Sequence, residues 1–186
     1  MRDPVLNSFL EEQQAAGMTL AAASDILELF PLDGAALVAG SPARHYVARF
    51  HCTGLVRTAA GDVREADQFD VGIRFPTGFL RQPFDPPEVL TWLAPFEIFH
   101  PNIRPPFVCP GHLPPGAPLA DILYQLFEMI TYSKLTMKET DALNPAACAW
   151  ARRNVHRFPL DRRPLKRGAA PRFRVEVAAA GEEARP

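Results

Sequence analysis

A proline-rich segment, residues 76–118, constrains the fold of this 186-residue chain more than any other feature. It holds 12 of the 20 prolines, and because proline fixes φ and lacks a backbone N–H, no long helix or central strand can run through it. Large aromatic side chains, which need burial, are interleaved with the prolines: Phe79, Phe84, Trp92, Phe96, Phe99 and Phe107. We therefore expect a rigid, irregular and packed segment rather than a flexible linker.

The first thirty residues predict helix. Apolar residues recur at helical spacing in two groups, and Gly17 is expected to separate the two halves. These groups are Leu6, Phe9 and Leu10, followed by Ile26, Leu27, Leu29 and Phe30. Pro31 is expected to end the helical region.

Strands are expected next, because the apolar period changes from helical to two. Residues 44–58, "RHYVARFHCTGLVRT", place Tyr46, Ala48, Phe50 and Cys52 on one face. After the turn "AAGDV", residues 65–76 return as a second strand, and "EVLTWL" (residues 88–93) is a third. The expected sheet is a four-stranded antiparallel meander, and "RFRVEV" (residues 172–177) predicts a short added strand.

Two helices are expected after the proline-rich segment. Residues 118–132, "PLADILYQLFEMITY", carry an apolar stripe, and residues 144–154, "NPAACAWARRN", begin with Asn144 as a cap and Pro145 at the first helical position. The order of elements predicts an α+β domain with a helix packed on one face of a small sheet.

Composition and charge exclude several functional classes. The formal net charge of −1 gives no overall attraction to nucleic acid or membrane. No apolar run approaches the roughly 20 residues of a membrane span, and the N-terminus lacks the apolar stretch of a secretory signal. The three cysteines form an odd number without framework spacing, so we expect free thiols in a reducing cytoplasm.

The chemically richest stretch is "FHPNIRPPFVC", residues 99–109. It brings an imidazole, a carboxamide and a thiol together on a stiff support: His100, Asn102 and Cys109. Together with its surroundings this stretch also carries a resemblance. "FDVGIRFPTGFLRQPFDPPEVLTWLAPFEIFHPNI" resembles the ubiquitin-conjugating enzymes, with a strand ending in Phe-Pro, a Pro-Pro turn, another strand and His-Pro-Asn. "LPPGAPLADIL" and "DALNPAACAW" are similar to that family's later motifs, so the likeness covers residues 44–154.

The resemblance implies the fold of the ubiquitin-conjugating enzymes (a UBC-like fold) and a transferase activity. Cys109 would carry a ubiquitin-like protein as a thioester, received from an activating enzyme, and pass it to an amine of an acceptor protein, with or without a ligase. Asn102 would stabilise the oxyanion and Asp141 would orient the amine. His100 and Pro101 would support the turn. His112, three residues past Cys109, departs from the family pattern and is either an aid to proton transfer or an exposed loop histidine without that role. No cofactor is implied.

The resemblance also implies a domain organisation. Residues 1–158 would form the conjugating domain, with a helical extension at residues 1–30 and a core at 31–158, followed by a basic and partly flexible extension at 159–186. Between residues 152 and 174 lie nine basic residues against the single acid Asp161; this stretch is either a solvated surface or a docking site for an acidic partner.

Three departures from the family pattern suggest a divergent bacterial branch, associated with ubiquitin-like conjugation operons in antiphage defence. The spacing from Asn102 to Cys109 is one residue shorter, Ala142 replaces a proline, and the first helix is not basic.

Other functions stay open on the residues alone. Cys109 could be a buried structural thiol, as Cys52 and Cys148 are expected to be. The chain could be a non-catalytic module that binds ubiquitin-like proteins, or a thiol hydrolase using Cys109 with His100 or His112. A zinc site of His51, Cys52, Cys109 and His112 has no ligand spacing to support it.

Overall fold

The computed structural model describes residues 3–32 and 42–167, which fold as an α+β structure. Its helices are α1 (Pro4–Ala22), the single turn α2 (Pro86–Val89), α3 (Leu119–Ile130) and α4 (Pro145–Arg153). Its strands are β1 (Leu27–Pro31), β2 (His45–Phe50), β3 (Gly54–Arg57), β4 (Val63–Ala66), β5 (Phe69–Arg74), β6 (Leu90–Ala94), β7 (Ile103–Arg104) and β8 (Phe107–Val108). The antiparallel main sheet has the order β1-β2-β5-β6, and β3-β4 and β7-β8 form separate hairpins.

Helix α1 is one continuous helix, so the expected break at Gly17 is wrong. The Asp3 side chain caps it by accepting hydrogen bonds from Val5 N and Leu6 N at 3.1 and 3.3 Å. Gly17 is buried inside the helix, where an added Cβ would lie 2.7 Å from Leu119 and 2.8 Å from Leu29. This glycine therefore allows close packing of α1 against the rest of the core.

The helical prediction for residues 26–30 is also wrong, because these residues form β1. Leu27 and Leu29 are buried while Glu28 and Phe30 are exposed, which is the period of a half-buried strand. β1 pairs along its full length with β2. A short apolar run fits a helix or a strand equally well, and the partner strand decided between them.

The longer predicted strands are interrupted. Residues 44–58 divide into β2 and β3, and residues 65–76 contain the end of β4 and all of β5. Gly54 begins β3 at the corner between them, where an added Cβ would lie 2.6 Å from the buried ring of Phe69. The predicted strand "EVLTWL" begins with the helical turn α2 and becomes strand only at Leu90.

The proline-rich segment is packed, as expected, and its β7-β8 hairpin lies beside the β6 edge of the main sheet. Phe79, Trp92 and Phe99 are buried in it. Phe96 and Phe107, by contrast, are 69% and 49% exposed, so the expectation of burial is wrong for these two side chains. Trp92 N donates to Pro106 O at 2.8 Å, which fastens the β7-β8 hairpin to β6.

Both C-terminal helices are confirmed. The buried residues of α3 lie on its predicted stripe, and Asn144 caps α4 by accepting from Ala147 N at 3.1 Å. After α4, residues 160–167 run back from the end of α3 to the end of α1, and Leu165 is buried in the core. The predicted strand at residues 172–177 lies outside the described residues.

The corner at Gly54 gives a stability prediction. We expect Gly54→Ala to lower the free energy of unfolding by about 1–3 kcal/mol, because the Phe69 ring and Ile130 leave no space for a methyl group. Gly72→Ala, where the nearest atoms are 3.6 Å away, is the matched control and should change stability by less than about 0.5 kcal/mol. Urea denaturation of the two variants measures the difference; equal midpoints would contradict the prediction.

Candidate active site

The β7-β8 hairpin places Asn102 and Cys109 directly opposite each other. Pro105 and Pro106 form its two-residue turn, with Ile103 paired to Val108 and Arg104 to Phe107. The next pair outward is Asn102 with Cys109, and Cys109 N donates to Asn102 O at 2.9 Å. Residues facing each other in an antiparallel pair lie roughly 5 Å apart, so the spacing of these two residues in the chain fixes their contact.

The Asn102 side chain joins this hairpin to a second segment. Its Nδ2 donates to Cys109 O at 3.2 Å, and its Oδ1 accepts from Thr136 N at 2.8 Å. Its backbone N–H is turned away from the hairpin and donates to His100 Nδ1 at 3.0 Å. The carboxamide thus takes the place of a backbone hydrogen bond to Cys109 and also holds the segment that begins at Thr136.

His100 is a buried, neutral support. Its ring is fully buried and packs edge-on against Tyr132, with centroids 4.7 Å apart, while the Tyr132 hydroxyl donates to Phe99 O. Because Nδ1 accepts a hydrogen bond, the proton of the neutral ring is assigned to Nε2, which has no hydrogen-bond partner within residues 3–32 and 42–167. Burial lowers the pKa of His100 to about 3, against a weaker opposing effect of the Lys134 backbone. The hydrogen bond from Asn102 N to His100 Nδ1 is the local one expected of this ring.

Of the three cysteines in the sequence, Cys109 is the one whose residue is not buried. Cys52 lies in the core, and burial raises its thiol pKa to about 12. Cys148 is buried in α4, its pKa is raised mainly by burial, and its Sγ donates to Thr136 O at 3.4 Å. The expected structural role of Cys52 and Cys148 agrees with their buried placement, whereas Cys109 is partly exposed.

Asp141 lies on a loop that is fastened to the Asn102 segment at both ends. Thr136 N donates to Asn102 Oδ1, and Asn144 N donates to Pro101 O at 3.0 Å. Between these anchors Asp141 is exposed in a short 3-10 turn, and its Oδ1 accepts from Thr140 Oγ1 at 3.1 Å. The buried Pro101 thus contributes a backbone acceptor, which holds the start of α4 close to the hairpin.

His112 is exposed and lies in a groove of about 240 Å³ that adjoins the chain just after Cys109. The groove is also lined by Phe84, Asp85 and Glu88. No described hydrogen bond or ion pair fixes the His112 ring, so its position does not connect it to either Asn102 or Asp141.

Two structural contributors were absent from the sequence-based prediction. Tyr132 is the one described residue other than glycine with positive φ, at 63°, and it forms the wall against which His100 packs. Thr136 holds Asn102 through its backbone N–H across 34 residues of chain. Any residue except proline can donate this hydrogen bond from its backbone, so the sequence contains no indication of the role of Thr136.

Comparison with protein-family models, with curated proteins and with solved structures gives no match. Within residues 3–32 and 42–167, no group of three or more His, Cys, Asp or Glu side chains is arranged to hold a metal ion. In the same part of the chain, no helix combines the length and the apolar character needed to cross a membrane.

The burial of His100 predicts a pH dependence of stability. The unfolded imidazole has a pKa of about 6.5, whereas the folded one has a pKa of about 3. Between about pH 6.5 and about pH 3 the histidine binds a proton in the unfolded state but not in the folded state. The free energy of unfolding therefore falls as the pH falls through this range, by about 1.4 kcal/mol per pH unit. In His100→Asn, whose amide oxygen can replace Nδ1 as acceptor, the loss between pH 7 and 5 should be about 2 kcal/mol smaller than in the natural chain.

Urea denaturation at the two pH values measures this difference, with His112→Asn as the control for an exposed histidine. An unchanged pH dependence in His100→Asn would contradict the prediction, whatever its absolute stability.

Proposed function

We propose that this protein is a transferase of the ubiquitin-conjugating type, which carries a ubiquitin-like protein as a thioester on Cys109. The observation that carries the proposal is the placement of Cys109, a partly exposed residue at the base of a stiff hairpin. The Asn102 carboxamide lies opposite it and donates to the Cys109 backbone carbonyl. A thiol buried in the core, like that of Cys52, would not accept a protein-sized acyl group.

The proposed reaction has two acyl-transfer steps. The Cys109 thiolate attacks the carbonyl carbon of a thioester on an activating enzyme, a new C–S bond forms at Cys109, and the donor thiol leaves. The amine of an acceptor then attacks the same carbonyl carbon. A C–N bond forms, the bond to the Cys109 sulfur breaks, and the amine loses a proton.

Asn102 and Asp141 have distinct roles in this proposal. The Asn102 Nδ2 carries two hydrogens, of which one donates to Cys109 O, so the second is free to donate to the oxyanion that forms on the acyl group. Asp141, exposed on the loop tied to Asn102 and Pro101, would attract and orient the cationic amine. His100 holds the turn and remains neutral, so it takes no proton from the thiol.

The architecture agrees with the UBC-like fold that we propose. What supports this proposal is the order of elements: an N-terminal helix, a four-stranded antiparallel sheet, a packed proline-rich segment that contains Cys109, and two later helices. We extend the proposal to the partners: an activating enzyme, a ubiquitin-like protein, an acceptor and, where needed, a ligase. A bacterial antiphage conjugation system is the setting that the sequence departures favour.

A thiol hydrolase is the weaker candidate. A hydrolase needs a base beside the thiol, and His100 is excluded because it is fully buried, its Nδ1 accepts from Asn102 N, and its pKa is lowered to about 3. His112 stays exposed and no described contact orients it. No feature favours a non-catalytic binding module over the transferase.

The transferase proposal is tested by formation of the covalent adduct. The protein is incubated with ATP, an activating enzyme and a ubiquitin-like protein encoded beside it, and the products are separated with and without reductant. We expect an adduct that reductant removes and that is absent in Cys109→Ala, because the acyl group is bound to sulfur. Cys52→Ala and Cys148→Ala, which alter buried thiols, should still form it. An adduct that survives in Cys109→Ala, or its absence from the natural chain while the activating enzyme is charged, would reject the proposal.

The oxyanion role of Asn102 is tested by Asn102→Asp. The aspartate retains an oxygen for Thr136 N but loses the Nδ2 donor, so the rate of transfer from loaded Cys109 to a free amine should fall by about 10²–10³-fold. Asn102→Ala loses both hydrogen bonds and should in addition be less stable by about 1–3 kcal/mol. Single-turnover discharge of the thioester and urea denaturation separate these effects. If Asn102→Asp transfers the acyl group as fast as the natural chain, the oxyanion role is rejected and Asn102 has only a structural role.

A further inference from the structure

Residues 159–167, which we call the strap, cross the fold from the end of α3 to the end of α1 along a fixed path. Leu160 N donates to Thr131 O and Arg167 N donates to Ala23 O, both at 2.8 Å. Leu165 is buried against the core between these two anchors. The strap therefore has a fixed position on the surface, and a groove that its residues line is preformed.

The middle of the strap is fixed by an ion pair between the buried Asp161 and the exposed Arg163. Asp161 is only 8% exposed and accepts from Thr53 N at 3.0 Å and from the Arg163 guanidinium at 2.7 Å. Burial alone would raise the Asp161 pKa, but these hydrogen bonds lower it to about 2. Arg163 also donates to His51 O at 2.9 Å, so both charges of this pair are committed to the fold.

Between the strap and α3 lies a groove of about 400 Å³, which is within the size range of ligand pockets. Its α3 side is formed by Tyr124, which is 37% exposed, and Phe127, and its strap side includes Pro164 and Leu165. The walls of this groove are therefore largely apolar, with an aromatic ring that is accessible to a partner.

The rim of the groove is cationic. Arg162 and Lys166 are exposed on it, and no carboxylate in the described part of the chain pairs with either. Glu128 on the α3 side is the opposing charge, since Asp161 is neutralised by Arg163. An apolar groove with two uncommitted cations along one side is complementary to an apolar side chain flanked by carboxylates.

We propose that this groove docks an acidic segment of a protein partner. A large apolar side chain of that segment enters between Tyr124 and Pro164, and carboxylates on either side of it contact Arg162 and Lys166. The site is separate from the Cys109 hairpin, and the proposal does not depend on the proposed transferase activity.

A nucleic acid fits this surface less well. Seven basic residues lie between 152 and 167, but four of them are already paired with carboxylates: Arg152 with Glu139, Arg157 with Glu65, Arg163 with Asp161 and Arg167 with Asp25. The remaining positive charge is local, whereas binding to a phosphate backbone requires an extended row of cations.

The test is selection from a phage-displayed library of random peptides on the full-length Cys109→Ala chain, so that thiol chemistry plays no part. We expect enriched peptides to place an aromatic or long aliphatic residue beside Asp or Glu. For a labelled enriched peptide, fluorescence polarisation should show affinity at least about tenfold weaker in Arg162→Glu/Lys166→Glu. Tyr124→Ala should also weaken binding.

The matched control is Arg74→Glu/Arg153→Glu, which reverses two exposed charges outside the groove and should bind the peptide like the natural chain. The proposal is overturned if no acidic peptide is enriched, or if both double variants lose binding equally. It is also overturned if a single-stranded oligonucleotide displaces the peptide and binds more tightly. Competition by a peptide of residues 175–186 as strong as that of the selected peptides would assign the groove to this chain's own C-terminal residues instead of a partner.

Discussion

The hydrogen bonding of the Asn102 carboxamide is the constraint on which the site depends. One side chain satisfies the carbonyl of Cys109 and the backbone N–H of Thr136, while Asn102 O receives the Cys109 N–H. Backbone groups removed from water are costly to leave unpaired, and these two hydrogen bonds are partly buried, so each of them stabilises this arrangement of the hairpin and the loop. Cys109 and the loop that carries Asp141 are therefore positioned by the same group.

The Asn102 carboxamide is itself oriented by the buried cluster beneath it. His100 Nδ1 takes the Asn102 N–H, the His100 ring rests on Tyr132, and Tyr132 donates to Phe99 O. The His100 ring and the Tyr132 hydroxyl are removed from water, so the cluster holds its geometry at the cost of an uncharged histidine whose Nε2 has no partner among the described residues. A stiff support beneath the partly exposed Cys109 suits the proposed transferase, because its acyl group would arrive on another protein.

The C-terminal part of the described chain serves a different purpose. Its charges are mostly neutralised in pairs, its buried Asp161 closes onto Thr53, and its remaining cations border one apolar groove. The Asp161 carboxylate attaches the strap to the backbone at Thr53. Arg162 and Lys166, whose charges are unpaired in the described part of the chain, line the same groove as Tyr124. These features are far from the hairpin in sequence and are not needed to explain the chemistry of Cys109.

The sequence alone determined the α+β class, both C-terminal helices with the Asn144 cap, the packing of the proline-rich segment, and the proximity of His100, Asn102 and Cys109. These depend on local rules: helical period, capping chemistry, the stiffness of proline, and short separation along the chain. Only the tertiary structure decided that residues 27–31 are a strand, that Gly17 lies inside a helix, that Phe96 and Phe107 are exposed, and that Tyr132 and Thr136 support the site. Each of these features depends on contacts with residues distant in the chain. The type of a residue indicates that it needs burial or a hydrogen bond, but it does not indicate which distant segment provides the contact.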